Sequence, residues 1–191
     1  MKKLLFILLC LPIIGCLTET ANNKTEDFKN EKLFQVLVEI PSGTIQKWEW
    51  NKKTNTIERD SVNGKPRVIN YLNYPFNYGI VINKEYSNDG DPLDAVILGD
   101  PLKRGDVLNV KVLTILATKD KGKEDNKVIF LHKSSPIYSN VNDLNDMRKL
   151  YPGVLEIIKL WFENYKPNSI TLDYSSTNSA IKELDNKTID L

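Results

Sequence analysis

The chain has 191 residues, 41% of them hydrophobic, and its 26 basic and 25 acidic side chains give a formal net charge of +1. This length is enough for one domain with a buried core. A nearly balanced charge argues against binding to nucleic acid, which usually requires a strongly basic face.

The first residues have the organisation of an export signal. Two lysines precede an apolar run over residues 4–14, which has the length of a signal peptide and is short for a bilayer span. The run ends at Gly15 and Cys16, which resembles the bacterial lipobox, where the cysteine becomes the lipidated N-terminus. A secretory signal with an incidental cysteine is the alternative. We predict a lipoprotein signal peptide over residues 1–16, lipidation at Cys16, and an extracytoplasmic, membrane-anchored protein in the periplasm or at the cell surface.

A polar segment follows the signal. Residues 17–30 are rich in Thr, Glu, Asn and Lys and cannot bury enough apolar surface to fold, so they predict a flexible tether. The only cysteine besides Cys16 is Cys10, inside the signal, so the mature chain would carry no disulfide and would suit an oxidising compartment. Residues 31–191 are then predicted to form the folded domain.

The first two thirds of this domain predict short strands, which are identified by apolar and β-branched runs bounded by turn residues. The predicted strands span residues 33–40, 45–50, 56–59, 79–83, 94–98, 107–118 and 127–132. Many short strands in succession favour a small barrel.

The last third predicts helices. Asn142 or Asp143 is a suitable N-cap for one helix, and apolar residues recur at helical spacing between Pro152 and Tyr165. Residues 179–184 predict a short terminal helix. The predicted fold class is therefore mainly β with α, a small closed β-barrel flanked by C-terminal helices.

The segment Asp89-Gly90-Asp91-Pro92-Leu93-Asp94 carries the strongest chemical signal in the sequence. It places three carboxylates within six residues around a turn shaped by glycine and proline. Because apolar residues follow the last acid, part of the cluster should border a core, where such close negative charges need a cation. Clustered carboxylate oxygens favour a hard divalent cation, most simply Mg²⁺. A solvated acidic turn between two strands is the alternative for this hexapeptide alone.

Several further motifs accompany this segment. They are Glu39-Ile40-Pro41, Lys47-x-Glu49, Gly64-Lys65-x-Arg67, Asn77-Tyr78-Gly79, Asp120-x₄-Asp125-x-Lys127 and Trp161-Phe162-x-x-Tyr165-Lys166. In order and approximate spacing, these motifs and the acidic segment resemble the soluble family I inorganic pyrophosphatases over roughly residues 33–167. The resemblance implies an OB-like barrel and the Mg²⁺-dependent hydrolysis of inorganic pyrophosphate to two orthophosphates by metal-activated water.

The resemblance also implies a role for each site residue. The metal ligands would be Asp89, Asp94, Asp120, Asp125 and Glu49, holding several Mg²⁺ ions, with Mn²⁺ or Zn²⁺ as substitutes. The phosphates would be bound by Lys47, Arg67, Lys127, Tyr165 and Lys166. Asp91 would orient or deprotonate the attacking water, Tyr78 would donate a hydrogen bond near it, and Glu39 would order the metal-bound waters and the basic residues. Asp60 is a candidate supporting acid.

The export signal separates this chain from family members, which are mostly cytoplasmic, and leaves the source of pyrophosphate open. One alternative is an extracytoplasmic hydrolase of polyphosphate or nucleotide phosphoanhydrides. Another is a non-catalytic lipoprotein that binds metal or phosphate. The predicted partners are pyrophosphate and a membrane, reached through the lipid anchor, and a homo-oligomer is left open. His132, the only histidine, is expected to be structural or at the surface rather than a metal ligand.

Overall fold

The computed structural model describes residues 32–85 and 91–187. The predicted signal segment with Cys16, the predicted tether, and Asp89 of the acidic segment lie outside the described residues. In the described part, no helix has both the length and the apolar character needed to cross a lipid bilayer.

Eleven strands and three helices make up this part of the chain. The strands are β1 (Leu33–Ile40), β2 (Trp48–Asn51), β3 (Thr56–Arg59), β4 (Ser61–Val62), β5 (Lys65–Pro66), β6 (Asn77–Glu85), β7 (Pro92–Leu98), β8 (Val107–Asp120), β9 (Lys123–Glu124), β10 (Lys127–His132) and β11 (Ser169–Tyr174). The helices are α1 (Leu144–Leu150), α2 (Val154–Asn164) and α3 (Thr177–Asn186).

Five of the strands close into a barrel. Their order around it is β1–β6–β7–β10–β8, and β8 pairs again with β1. All of these pairs are antiparallel except β7 with β10, which run parallel. The closed, mixed barrel with its three helices confirms the predicted fold class. Strands β9 and β11 extend the sheet from the long strand β8.

The barrel strands are buried on both faces, so their sequences read as nearly continuous apolar runs. In β7, Ala95 and Ile97 join one apolar cluster, whereas Val96 and Leu98 join a second cluster. This division follows from strand geometry, because successive side chains point to opposite faces. The first cluster includes side chains of α3, and the second includes side chains of α1 and α2.

Two of the helices begin where the sequence offers a side-chain cap. Asp143 caps α1 by accepting hydrogen bonds from the backbone N–H groups of Asn145 and Asp146, as predicted. Ser176 caps α3, which begins at Thr177, two residues before the predicted start. Helix α2 lies within the range predicted from its apolar spacing and buries four of its side chains.

The sequence pattern did not predict one strand in the last third of the chain, because its apolar side chains are exposed and a polar side chain is buried. Strand β11 pairs with the C-terminal end of β8, and it buries Thr171 while Ile170 and Leu172 are exposed. The two-residue strands β4, β5 and β9 were also missed, since such short strands have no periodicity. Strand β2 begins at Trp48 rather than at residue 45.

Gly79 marks a close approach of β6 to β1. A Cβ atom at this position would lie 1.9 Å from the backbone oxygen of Leu37, so only glycine fits. We predict that Gly79→Ala lowers the free energy of unfolding by about 3 kcal/mol, at the upper end of the usual range for overpacking.

Gly105→Ala is the matched control for this substitution. Its added Cβ meets no atom within 4 Å, and only its φ of +88° is unfavourable. The left-handed conformation alone costs about 1–2 kcal/mol. Urea unfolding of both variants would measure the difference, and equal losses of stability would contradict the steric explanation.

Candidate active site

The parallel pairing of β7 with β10 sets the centre of the candidate site. It places Asp94 directly opposite Lys127, near the start of both strands. The Lys127 ammonium contacts the carboxylate of Asp94 and lies 2.7 Å from Oδ1 of Asp125. Lys127 is only 2% exposed, so its charge lies at the edge of the core. The two carboxylates neutralise it there.

A turn after β8 brings a further acid and a second lysine to this centre. Asp120 ends β8, and Asp125 follows β9. The backbone N–H of Asp125 donates to the Thr118 carbonyl at 2.9 Å, and the Thr118 hydroxyl donates to the Asp125 carbonyl. Lys166, which follows α2, donates to Oδ2 of Asp120 at 3.0 Å and to Oδ2 of Asp125 at 3.4 Å. Asp125 therefore contacts two lysines from different elements.

The segments around β2 and β5 supply the remaining charges. Nζ of Lys47 lies 3.1 Å from Oε1 of Glu49 and 5.4 Å from the centre of the Tyr78 ring. Nη1 of Arg67 donates to Oδ2 of Asp60 at 2.9 Å, so Asp60 orients the guanidinium. The Lys47 backbone N–H donates to the Arg67 carbonyl at 3.2 Å, which holds the two cationic residues side by side.

Aromatic packing fixes Tyr165 just beyond the end of α2. Its ring stacks on Trp161, with ring centroids 4.6 Å apart and planes 11° from parallel. Trp161 is itself fixed in the core, since its indole N–H donates to the Leu72 carbonyl at 3.0 Å and its ring packs on Tyr74. Core packing therefore positions this tyrosine.

These side chains border one cleft of about 440 Å³. Its lining contains most of the predicted site residues: Lys47, Glu49, Arg67, Tyr78, Asp94, Asp120, Asp125, Lys127, Tyr165 and Lys166. Lys121 and Pro167 also line the cleft and were not predicted as site residues. Each of them directly follows a predicted site residue in the chain, and this adjacency is the signal that could have identified them.

Three predicted site residues are not in this lining. Asp89 lies outside the described residues. Asp91 is exposed and borders a neighbouring depression of about 460 Å³, which shares Glu49 with the cleft. Glu39 is 3% exposed, and its Oε1 accepts a hydrogen bond from the Trp50 backbone N–H at 2.6 Å. The carboxylate of Glu39 thus holds strand β2 through the backbone of Trp50.

The ion pairs keep Asp94 and Lys127 charged. Burial alone would raise the pKa of Asp94, but the ammonium groups of Lys127 and Lys47 and a hydrogen bond with Tyr78 hold it below its ordinary value. Burial would likewise lower the pKa of Lys127, but Asp94 and Asp125 hold it above its ordinary value. Burial raises the pKa of Tyr78 well above its ordinary value, so its hydroxyl keeps its proton.

The donor set of the cleft fits a hard divalent cation such as Mg²⁺. Its acidic groups offer carboxylate oxygens, and neither thiol nor imidazole lines it, which favours Mg²⁺ or Mn²⁺. Oδ1 of Asp120 is buried without a hydrogen-bond partner among residues 32–85 and 91–187, and a cation would satisfy it. Within those two ranges, no three Asp, Glu, His or Cys side chains are grouped closely enough to hold a metal ion, since Lys127 and Lys166 lie among the acids.

The fold and the cleft together define a class of protein, a closed β-barrel with one cleft lined by both carboxylates and fixed cations. The family model described as inorganic pyrophosphatase matches residues 36–188. The chain therefore belongs to the inorganic pyrophosphatase family, which confirms the resemblance drawn from the motifs.

Similar proteins agree with this assignment. The mitochondrial inorganic pyrophosphatase of Saccharomyces cerevisiae is 34% identical over 160 residues, which cover 72% of this chain and 52% of the yeast protein. The human inorganic pyrophosphatase is 33% identical over 177 residues, which cover 83% of this chain and 61% of the human protein. The chain thus spans between about half and three fifths of the length of these relatives.

A solved structure supports the same conclusion. An N-terminally truncated vacuolar soluble pyrophosphatase of Trypanosoma cruzi, in complex with PPi, superposes with a TM-score of 0.76 at 28% sequence identity. The match covers 91% of this chain and 72% of the trypanosomal chain.

Glu39 generates a prediction about pH. Burial raises the pKa of Glu39 from about 4.5 to about 8, although Lys47 and the Trp50 N–H act in the opposite direction. Between these values the folded protein retains a proton that the unfolded chain has lost, so stability falls as pH rises, by up to about 1.4 kcal/mol per pH unit. Glu39→Gln cannot ionise, so its stability relative to wild type should increase from pH 5 to pH 8 and then level off.

Denaturant unfolding of both proteins across this pH range, in chelator, measures the difference directly. A stability difference that does not change with pH would show that Glu39 titrates normally. Asp106→Asn is a suitable control, since this carboxylate accepts a hydrogen bond from a backbone N–H, that of Lys103, but is less buried.

Proposed function

We propose that this chain hydrolyses inorganic pyrophosphate to two orthophosphates in a Mg²⁺-dependent reaction. The observation that carries the proposal is the alternation of acids and cations in one cleft, with Lys127 between Asp94 and Asp125 and Lys166 between Asp120 and Asp125. Pyrophosphate is a polyanion that binds divalent cations. A site that hydrolyses it therefore needs carboxylates for the metal ions and cationic side chains for the phosphates. Membership of the pyrophosphatase family supports the same reaction.

The cationic side chains of the cleft bind the two phosphate groups. The residues are Lys47, Arg67, Lys127 and Lys166, with the hydroxyl of Tyr165. Arg67 offers a planar fork suited to bidentate contact with phosphate oxygens, and Asp60 already fixes its orientation. The lysines act as point charges that neutralise the substrate and hold its two halves in place.

The carboxylates of the cleft would hold the metal ions. Asp94, Asp120, Asp125 and Glu49 line the cleft, and Asp89 would complete the set from the acidic segment. Bound Mg²⁺ would neutralise phosphate charge and make a bound water more acidic. Zn²⁺ is a poorer substitute than Mn²⁺, because the cleft offers it neither thiol nor imidazole.

Asp91 takes the proton of the attacking water. As a new oxygen–phosphorus bond forms, the bond from the same phosphorus to the bridging oxygen breaks, and the second phosphate leaves with that electron pair. Asp91 is exposed and borders the depression that shares Glu49 with the cleft. The Tyr78 hydroxyl keeps its proton and donates to Asp94, which orients that carboxylate. Catalysis then consists mainly of positioning and charge neutralisation.

We also propose that the protein is held at a membrane by a lipid on Cys16, in the periplasm or at the cell surface. The support is the sequence alone: a basic start, an apolar run of signal-peptide length and a cysteine at its end. The polar residues 17–30 would then act as a tether between the lipid and the barrel.

We predict that the purified chain without residues 1–16 releases orthophosphate from pyrophosphate with Mg²⁺ and is inactive in chelator. Asp91→Asn should keep metal binding and lose turnover by about 10²–10⁴-fold, the usual contribution of a general base. Asp94→Ala should lose metal affinity as well, because its carboxylate lies at the centre of the site. Asp100→Asn, which changes an exposed acid after the far end of β7, is the control and should behave as wild type.

A substrate panel tests the alternatives in the same assay. Faster release of phosphate from polyphosphate or nucleoside triphosphates than from pyrophosphate would favour a broader phosphoanhydride hydrolase. Absence of turnover, with Mg²⁺ binding retained in calorimetry, would favour a binding protein. Near-normal turnover of Asp91→Asn at saturating Mg²⁺ would remove Asp91 from the mechanism.

The lipid anchor has its own test in cells of the source organism or a host with lipoprotein processing. Wild type should incorporate a labelled fatty acid and fractionate with membranes, whereas Cys16→Ser should do neither. Cys10→Ser is the matched control, since it changes the other cysteine and should retain the label. A mature N-terminus other than residue 16 would contradict the lipoprotein prediction and leave the hydrolase proposal unaffected.

A further inference from the structure

Part of the cleft wall lies on a two-stranded ribbon, defined as β2, β3 and the turn between them, residues 48–59. The ribbon carries Glu49, follows directly on Lys47, and forms a sheet separate from that of the barrel. A two-stranded sheet is marginally stable by itself, so contacts with the barrel must fix its position. The placement of Lys47 and Glu49 in the cleft therefore depends on those contacts.

Arg104 makes two of these contacts at once. Its guanidinium carbon lies 3.8 Å from the centre of the Trp48 ring in β2, which is within the range of a cation–π interaction. Its Nε donates to the backbone carbonyl of Glu39, the residue before the last in β1, at 3.0 Å. One side chain therefore joins the ribbon to the end of a barrel strand.

The backbone around Arg104 is fixed to the barrel. The N–H of Gly105 donates to the Val38 carbonyl at 2.8 Å, and the Val38 N–H donates to the Asp106 carbonyl at 2.9 Å. The Asp106 side chain also accepts a hydrogen bond from the Lys103 N–H at 2.8 Å. Arg104 thus extends from a turn that is held against β1, and its side chain holds the ribbon relative to the barrel.

Arg59 extends this connection to the opposite strand of the ribbon. It is the cross-strand partner of Trp48, its guanidinium lies 5.5 Å from the centre of the same ring, and its Nη2 donates to the Arg67 carbonyl at 3.3 Å. In the described ranges, no carboxylate forms an ion pair with Arg59 or Arg104. The Trp48 ring is therefore the shared partner of two guanidinium groups.

We propose that Arg104 is a positioning residue which, through Trp48, holds Lys47, Glu49 and Arg67 in the geometry that the cleft requires. The structural part of this inference, that Arg104 fixes the ribbon, rests on the contacts alone. The functional part, an effect on binding of pyrophosphate and Mg²⁺, rests on the proposed function. It accounts for the alternation along the chain, in which Lys47 and Glu49 face the cleft while Trp48 between them contacts Arg104.

Hydrogen exchange of the ribbon tests the structural part. In Arg104→Met, amides of residues 47–59 should exchange about tenfold faster than in wild type, the combined effect of one exposed cation–π contact and one hydrogen bond. Amides of β8 in the barrel should be unchanged. Arg104→Lys keeps the cation but loses the Nε donor, so its exchange should be intermediate. Lys103→Met is the matched control: it removes a charge from the same turn without changing a contact of Trp48.

A double-mutant cycle with Trp48→Leu shows whether the two residues act together. If they do, adding Arg104→Met to Trp48→Leu should have less effect on exchange than Arg104→Met alone. Purely additive effects would overturn the role assigned to the ring. Wild-type exchange of the ribbon in Arg104→Met would overturn the whole inference.

Kinetics test the functional part. Arg104→Met should raise the KM for pyrophosphate and the half-saturating Mg²⁺ concentration by about tenfold, with a much smaller change in kcat, because Asp91 and Asp94 lie outside the ribbon. A looser ribbon with unchanged KM and Mg²⁺ dependence would overturn the positioning role. If wild type does not hydrolyse pyrophosphate, the proposed function fails, and calorimetry of Mg²⁺ binding then tests the positioning role. A weaker Mg²⁺ affinity in Arg104→Met would support that role, and an unchanged affinity would overturn it.

Discussion

The Lys127 ammonium held by Asp94 and Asp125 is the interaction on which the rest of the site depends. It exists because β7 and β10 run parallel and in register, which sets a lysine and an aspartate side by side at the edge of the core. Neither charge is stable there without the other, since removing one partner of a buried ion pair typically costs about 3–5 kcal/mol. The same groups face the cleft, so the charges at the barrel edge are also those that would meet metal and phosphate in the proposed reaction. Stability and chemistry are therefore coupled at this point of the molecule.

The two walls of the cleft are built differently. Asp94 and Asp120 lie on β7 and β8, and Asp125 lies two residues before β10; these three strands belong to the closed barrel, where the pairing of five strands fixes the backbone. Lys47, Glu49 and Arg67 lie on or beside the ribbon, which is held by a few side chains, including Glu39 and Arg104. The three aspartates thus have the barrel as their frame, whereas Glu49 and the cations on the ribbon side depend on a few contacts. Substitutions far from the chemistry can consequently change substrate affinity.

The part shared with the family is the barrel and the helices packed on it. The family model matches residues 36–188, and the superposition with the trypanosomal pyrophosphatase covers 91% of this chain. The matched regions make up 52% of the yeast relative and 61% of the human relative. The sequence before the barrel resembles an export signal. This feature bears on where the protein would act and not on what the cleft binds.

The sequence by itself determined the barrel strands, the helices and most of the side chains that line the cleft, because apolar runs, helical spacing and spaced motifs are short-range signals. Strands β1, β3 and β10 have the predicted bounds, and Asp143 caps α1 as predicted. The sequence could not reveal β11, where apolar side chains are exposed and a threonine is buried. Only the tertiary structure decided which charges meet: Lys127 contacts an aspartate 33 residues away, and Lys166 contacts one 46 residues away. It also decided that Glu39 is buried and absent from the cleft lining, and that Arg104, which belongs to no motif, contacts Trp48. The physical reason is that these contacts arise from barrel closure, which depends on strand pairing across the whole domain and leaves no local pattern.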